Sequence, residues 1–163
     1  MIKNFEFYHG TVFTKLIDHS KEPISFSRFM TLNNASYIIN KSIGIYIKHS
    51  QKRLTPWSFT LSKIHQEEIL RIKIQFKDVY LVLVCGEDGV VALNYTELKE
   101  ILDVNKIHKT TEWVRVSRSK RKEYTVTGAD GILSYKMSKD AFPKVVLAKI
   151  KESKLISKKG NKV

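Results

Sequence analysis

The chain has 163 residues, 42% hydrophobic and 28% charged, which is enough for one globular domain with a proper core and too little for two comfortable ones. Its 29 basic against 16 acidic residues give a net charge of +13, a balance that favours polyanions: nucleic acid first, an anionic membrane surface second. The longest apolar block, 79–85, is far too short to span a membrane, and the N-terminus MIKNFEFYHG lacks the apolar core of a signal peptide. Cys85 is the sole cysteine, so no internal disulfide forms and a reducing, cytoplasmic setting is expected.

Taken in order, Lys3–Tyr8 reads as a short β-like lead-in, with Phe5 and Phe7 on one face. Thr11–His19 carries Val12, Phe13, Leu16 and Ile17 at the spacing of one helical face. Ile24–Leu32 is extended and weakly alternating, and Asn33-Asn34 marks a turn. Ser36–Asn40 and Ile43–Ser50 predict a hairpin. In its second strand Ile43, Ile45 and Ile47 share one face, while Gly44, Tyr46 and Lys48 share the other. Gln51–Pro56 is a polar, basic link, followed by a short extended piece at Trp57 and Phe59. Ser62 is placed to cap a helix reaching about Phe76, and 79–85 predicts a strand covered on both faces. Gly86–Gly89 is a turn and Val90–Leu93 a return strand. Asn94-Tyr95-Thr96-Glu97 is a capping box that starts a helix to about Leu102.

A loop through His108 follows. Trp113–Arg118, Glu123–Thr127 and Ile132–Met137 then predict three strands, and Val145–Lys151 a helix. The fold class expected is α/β (α+β), with a central mixed sheet flanked by helices. The expected organisation is a single domain over 1–153. Its core spans about 11–102, its β extension about 111–137 and its C-terminal helix about 144–152. The segment 154–163 reads as a disordered basic tail; removing its four lysines from +13 leaves +9, so the body is basic in its own right.

No Asp or Glu occurs between Glu22 and Glu67, yet that stretch holds Arg28, Lys41, Lys48, Lys52, Arg53 and Lys63, which suits phosphate contact. A second basic cluster, Arg115, Arg118, Lys120, Arg121 and Lys122, sits beside Trp113 and Tyr124. Basic groups beside aromatics can hold a phosphate backbone and stack a base. The histidines at 9, 19, 49, 65 and 108 show no metal spacing with Cys85.

The order helix, three strands, helix, buried strand, helix over about 90 residues resembles the core of the PD-(D/E)XK nuclease superfamily, the restriction-endonuclease-like fold. In that family one strand brings an aspartate, and the next brings an acid, a spacer and a lysine on one face. The acids bind magnesium and the lysine positions or activates the attacking water. Here Lys48 matches the lysine and Tyr46 stands at the acid's place. Asn33, Asn34, Ser36 or Asn40 stands at the aspartate's. The resemblance therefore implies one of two sites. In the first, Glu67 or Glu68 supplies a migrated acid, or Asp18 reaches in from the first helix, with Lys48 catalytic and Mg or Mn as cofactor. In the second, the site is degenerate, and Tyr46, Lys48, Lys52, Arg53 and the second cluster bind DNA or RNA without cutting.

Tyr8-His9-Gly10-Thr11 supports a different reading, since H-G-T after a strand and before a helix resembles the first motif of ADP-ribosyltransferases. That resemblance implies NAD held by His9, with Gly44-Ile45-Tyr46 and Lys122-Glu123-Tyr124 at the family's later tyrosine and glutamate positions. A protein-interaction module whose charge serves solubility is the third reading.

Overall fold

The computed structural model describes residues 1–103 and 110–161, so the predicted loop through His108 lies outside the described residues. Helix α1 (Asn4–His19) opens the chain. The Lys3 backbone N–H donates to the Glu6 carboxylate, and the Glu6 N–H donates back to the Lys3 carbonyl, which sets the helix start. His9, Val12 and Leu16 form its buried face. The expected β lead-in at Lys3–Tyr8 is therefore helical. Phe5, His9, Val12 and Leu16 recur at helical spacing, and that series outweighs the two-residue alternation of Phe5 and Phe7.

Of the extended stretch 24–32, only β1 (Phe26–Arg28) is a strand; β2 (Ser36–Ile39) and β3 (Ile43–Ser50) follow. They turn through Asn40 and Lys41, both at positive φ. After β4 (Trp57–Leu61), helix α2 (Lys63–Phe76) crosses over to β5 (Asp78–Cys85), which lies parallel to β3. Then β6 (Gly89–Asn94) returns antiparallel and leads into α3 (Tyr95–Ile101). Asn94 and Glu97 exchange the two hydrogen bonds of the expected capping box, at 2.8 and 2.9 Å. The main sheet is mixed, in the order β1-β2-β3-β5-β6.

Alternation along β3 and β5 sends side chains into two cores. Ile43, Ile45, Ile47, Tyr80, Val82 and Val84 pack with Val12 and Leu16 of α1 on one side. Helix α4 (Ala141–Gly160) covers the same side through Phe142, Val146 and Ile150. On the other side Tyr46, Leu81, Leu83 and Cys85 pack with Ile69 and Ile72 of α2 and with the inner face of a second sheet. Gly44 permits the close approach of α2, since a Cβ there would meet Ile72 Cγ2 at 2.0 Å.

The second sheet is antiparallel, in the order β4-β7-β8-β9, with β7 (Glu112–Ser117), β8 (Thr125–Gly128) and β9 (Gly131–Ile132). It differs from the expected three-stranded extension in two ways. The core segment Trp57–Leu61 joins it as an edge strand, because Trp57, Phe59 and Leu61 all turn inward. The expected strand 132–137 shrinks to two residues plus a Tyr124–Met137 bridge. The expected disordered tail is also helical through Gly160. Leu147, Ile150 and Lys154 continue one face of α4, and Lys154 Nζ donates to the Glu22 carboxylate. No helix among the described residues is long and apolar enough to cross a membrane.

Candidate nucleic-acid interface

Lys48 sits near the end of β3, where the strand emerges from the core and its last three residues become half-buried. A pocket of about 250 Å³ opens beside it, lined by Phe5, His9, Asn33, Tyr46, His49 and His65. Tyr46 and Lys48 line this concavity together, with Ile47 and His49 of the opposite strand parity also at its wall and Ile45 buried behind. A wider groove, about 740 Å³, lies between the end of α1 and α4 and contains none of these groups.

Helix α2 delivers two further side chains to Lys48. Ser62 caps the helix, its Oγ accepting from the His65 N–H, and the Ser62 N–H donates to His65 Nδ1 at 3.1 Å. Lys48 Nζ approaches the same nitrogen at 3.3 Å. With Nδ1 accepting, the neutral ring carries its proton on Nε2. Burial and the lysine charge both lower the His65 pKa. Burial also lowers the pKa of Lys48, with the negative charge of Glu68 opposing that shift.

Glu68 is 3% exposed. Its carboxylate accepts from the Tyr46 hydroxyl at 2.8 Å, from Asn33 Nδ2 at 2.7 Å and from the Asn33 backbone N–H at 3.2 Å. Burial alone would raise its pKa, but these donors outweigh burial and hold it below the usual carboxylate value. The Tyr46 phenol is pushed up, by burial first and by its bond to Glu68 second. Glu67, the other candidate acid, lies elsewhere on the helix surface and pairs with Lys63 at 3.9 Å. Of the expected trio, then, Lys48 and Glu68 come together and Glu67 does not.

This donor set offers a magnesium or manganese ion little. Such a cation takes hard oxygen ligands, commonly one or two carboxylates with water and phosphate. Here one carboxylate is present, and three protein donors already occupy it. The neighbours that could join it are an amide, a phenol and an ammonium. Among the described residues no group of three or more His, Cys, Asp or Glu could hold a metal.

The basic residues divide into two kinds. Arg118 is engaged internally: its guanidinium pairs with Asp88, which also accepts from the Tyr124 hydroxyl at 2.6 Å. Arg118 thus clamps the Gly86–Gly89 turn, and its guanidinium is already engaged by an acid, unlike the other expected phosphate-contacting residues. The others remain outward. The Arg118 backbone N–H donates to Thr55 Oγ1 at 3.0 Å, which brings the link after β3 against the turn after β7. Lys52 and Arg53 on one segment and Lys120, Arg121 and Lys122 on the other are exposed. Lys52 follows Lys48 by four residues, so their Cα atoms are at most about 14 Å apart. Arg115 projects from β7 with its guanidinium 5.2 Å from the Trp113 ring centroid.

His9 occupies the middle of α1 rather than a strand-to-helix junction, so the local context of the H-G-T motif is absent. Its Nδ1 lies 2.7 Å from the Tyr37 hydroxyl, which also accepts from Arg28 at 3.1 Å. Burial, then the charges of His49 and Arg28, lower its pKa to about 4. An imidazole in the unfolded chain titrates near 6.5, so between these values the unfolded state binds more protons. The stability contributed by neutral His9 is complete above pH 6.5 and is lost as pH falls toward about 4. Lowering the pH from 7 to 4.5 should reduce Tm by on the order of 5 °C more in the wild type than in His9→Gln. Superimposable Tm–pH curves for the two proteins would count against this buried-imidazole account.

Comparison of the chain with protein-family models, with curated proteins and with solved structures finds no match.

Sequence reasoning missed His65, whose signal is its place three residues after the Ser62 cap. It also missed that Asp88 joins Arg118 and Tyr124, from which it lies 30 and 36 residues away in sequence.

Proposed function

We propose that this protein binds nucleic acid through a nuclease-like core whose metal-binding carboxylates have been replaced, so that it holds phosphates without cutting them. The observation that carries the reading is the convergence of Asn33, Tyr46, Lys48 and Glu68. Asn33 precedes β2, while Tyr46 and Lys48 lie two apart on β3. In the PD-(D/E)XK pattern these places hold the aspartate, the acid and the lysine. The main-sheet order α1, β1, β2, β3, α2, β5, with β5 parallel to β3, supports the same reading, although β4 of the second sheet is inserted between β3 and α2. The acid returned by α2 is used to tie Asn33 and Tyr46 together rather than to bind a cation.

Lys48 is left as a positive group at the mouth of a pocket. Lys52, Arg53 and the 120–122 turn extend the positive surface beyond it, and the chain's +13 charge attracts a polyanion over a longer range. Binding of DNA or RNA, read by fluorescence anisotropy, should weaken roughly 10³-fold or more between 50 and 200 mM salt, as expected when several phosphates are neutralised. Failure to bind either polymer at low salt would leave the charge as a solubility device and defeat the proposal.

A further inference from the structure

The outward face of the second sheet is a surface that the Lys48 pocket does not use. Alternation puts Trp57, Phe59, Val114, Val116 and Val126 inside and leaves the intervening residues outside. The register Ser58↔Arg115, Arg115↔Thr127 and Thr127↔Ile132 lines these residues up as one row across four strands. That row is about 14 Å wide at the usual strand spacing. Thr60 and Trp113 form the adjacent pair.

We infer that this face is a stacking platform for a single-stranded polynucleotide, with Trp113 as the base-stacking residue and Arg115 as its phosphate or base partner. Trp113 is 40% exposed, whereas the other tryptophan, Trp57, is 2% exposed. A large aromatic on the water side of a strand has no core to fill, and the Trp113 ring lies beside the Arg115 guanidinium. The remaining outward groups are hydroxyls and Ile132, a mixture that tolerates any base.

Charge selects the occupant. None of the outward strand positions on β4, β7 and β8 is acidic; the acid of β7, Glu112, turns inward and is 4% exposed. At one end of the sheet, where β4 begins and β7 ends, the basic segments at 52–53 and 120–122 adjoin. A strand of nucleic acid leaving the platform at that end meets their charges. Unpaired bases can lie on a flat sheet face, whereas the bases of a duplex are already stacked on one another.

This inference rests on the nucleic-acid reading and adds the form of nucleic acid and the face that holds it. The test is titration of the full chain with a 12-nucleotide oligothymidylate, and with a duplex of equal length, at low salt. Tryptophan emission is followed alongside anisotropy of the labelled oligonucleotide. The expected result is quenching by the single strand, with tighter binding of it than of the duplex. Trp113→Ala should abolish the quenching and weaken single-strand binding about tenfold or more. Arg115→Ala should weaken binding as well, while an unchanged far-ultraviolet circular dichroism spectrum shows that each variant is folded. Binding without quenching, binding unchanged in Trp113→Ala, or preference for the duplex would overturn the platform and leave the phosphate-binding reading standing. No binding of either form would remove both.

Discussion

Replacing Glu68 with alanine is expected to lower stability by roughly 3 kcal/mol, or about 6–12 °C in Tm for a chain of this size. The substitution strands three donors. Tyr46 is fully buried and its hydroxyl loses its acceptor, and two Asn33 donors lose theirs. Each buried donor left unpaired costs about 1–3 kcal/mol, and partial access of water to Asn33 reduces the total. The sign of the effect matters more than its size. A carboxylate kept for a metal is held among other acids at a cost to stability, so removing it from a metal-free protein is neutral or stabilising. A Glu68→Ala protein that melts at or above the wild-type temperature would show that this carboxylate is not built into the fold as described.

Asn33→Asp is expected to have the opposite relation to metal. The Asn33 amide now donates to Glu68 across 2.7 Å. An aspartate there sets two carboxylates against each other, at a cost of about 3 kcal/mol for the effective dielectric of a partly buried site. The same change creates the pair of hard oxygen donors that the natural site lacks. In a chelator the variant should therefore melt several degrees below the wild type. Manganese at about 100 times its dissociation constant should restore about 2.7 kcal/mol, while the wild type stays indifferent to the metal. Equal responses of the two proteins to manganese would break the link between Asn33 and a lost ligand position.

Where the signal was local, the sequence carried the fold. The apolar run 79–85 led to β5, the Asn94–Glu97 box to the start of α3, and the alternation of 43–48 to the facing of Tyr46 and Lys48. The errors have local causes too. At Lys3–Tyr8 two phenylalanines two apart imitated a strand, and Gly10 and Thr11 hid the continuity of α1. At the C-terminus the lysine density suggested disorder, but lysine is a good helix former and Leu147, Ile150 and Lys154 gave α4 a face to extend.

Half of the site was legible in the same way. Lys48 and Tyr46 followed from strand parity, and Glu68 was one of two adjacent acids on a helix. Choosing between Glu67 and Glu68 required the rotation of α2 about its axis, which is fixed by Ile69 and Ile72 packing on the sheet and by the close approach at Gly44. The occupation of Glu68 by Asn33 and Tyr46 depends on contacts 22 and 35 residues apart in sequence, which no local pattern encodes. The internal use of Arg118 was hidden for the same reason.

The most direct test of a phosphate-holding, non-cutting site is one titration carried out on the wild type and on Lys48→Ala. End-labelled single- and double-stranded DNA and RNA are incubated with each protein in magnesium, in manganese and in chelator. Affinity is measured first, and the nucleic acid is then run on a denaturing gel. The account predicts intact nucleic acid in every lane, similar affinity with and without metal, and about tenfold weaker binding by Lys48→Ala. The salt dependence of that variant should be shallower by about one charge. Magnesium- or manganese-dependent cleavage by the wild type that disappears in Lys48→Ala would contradict it.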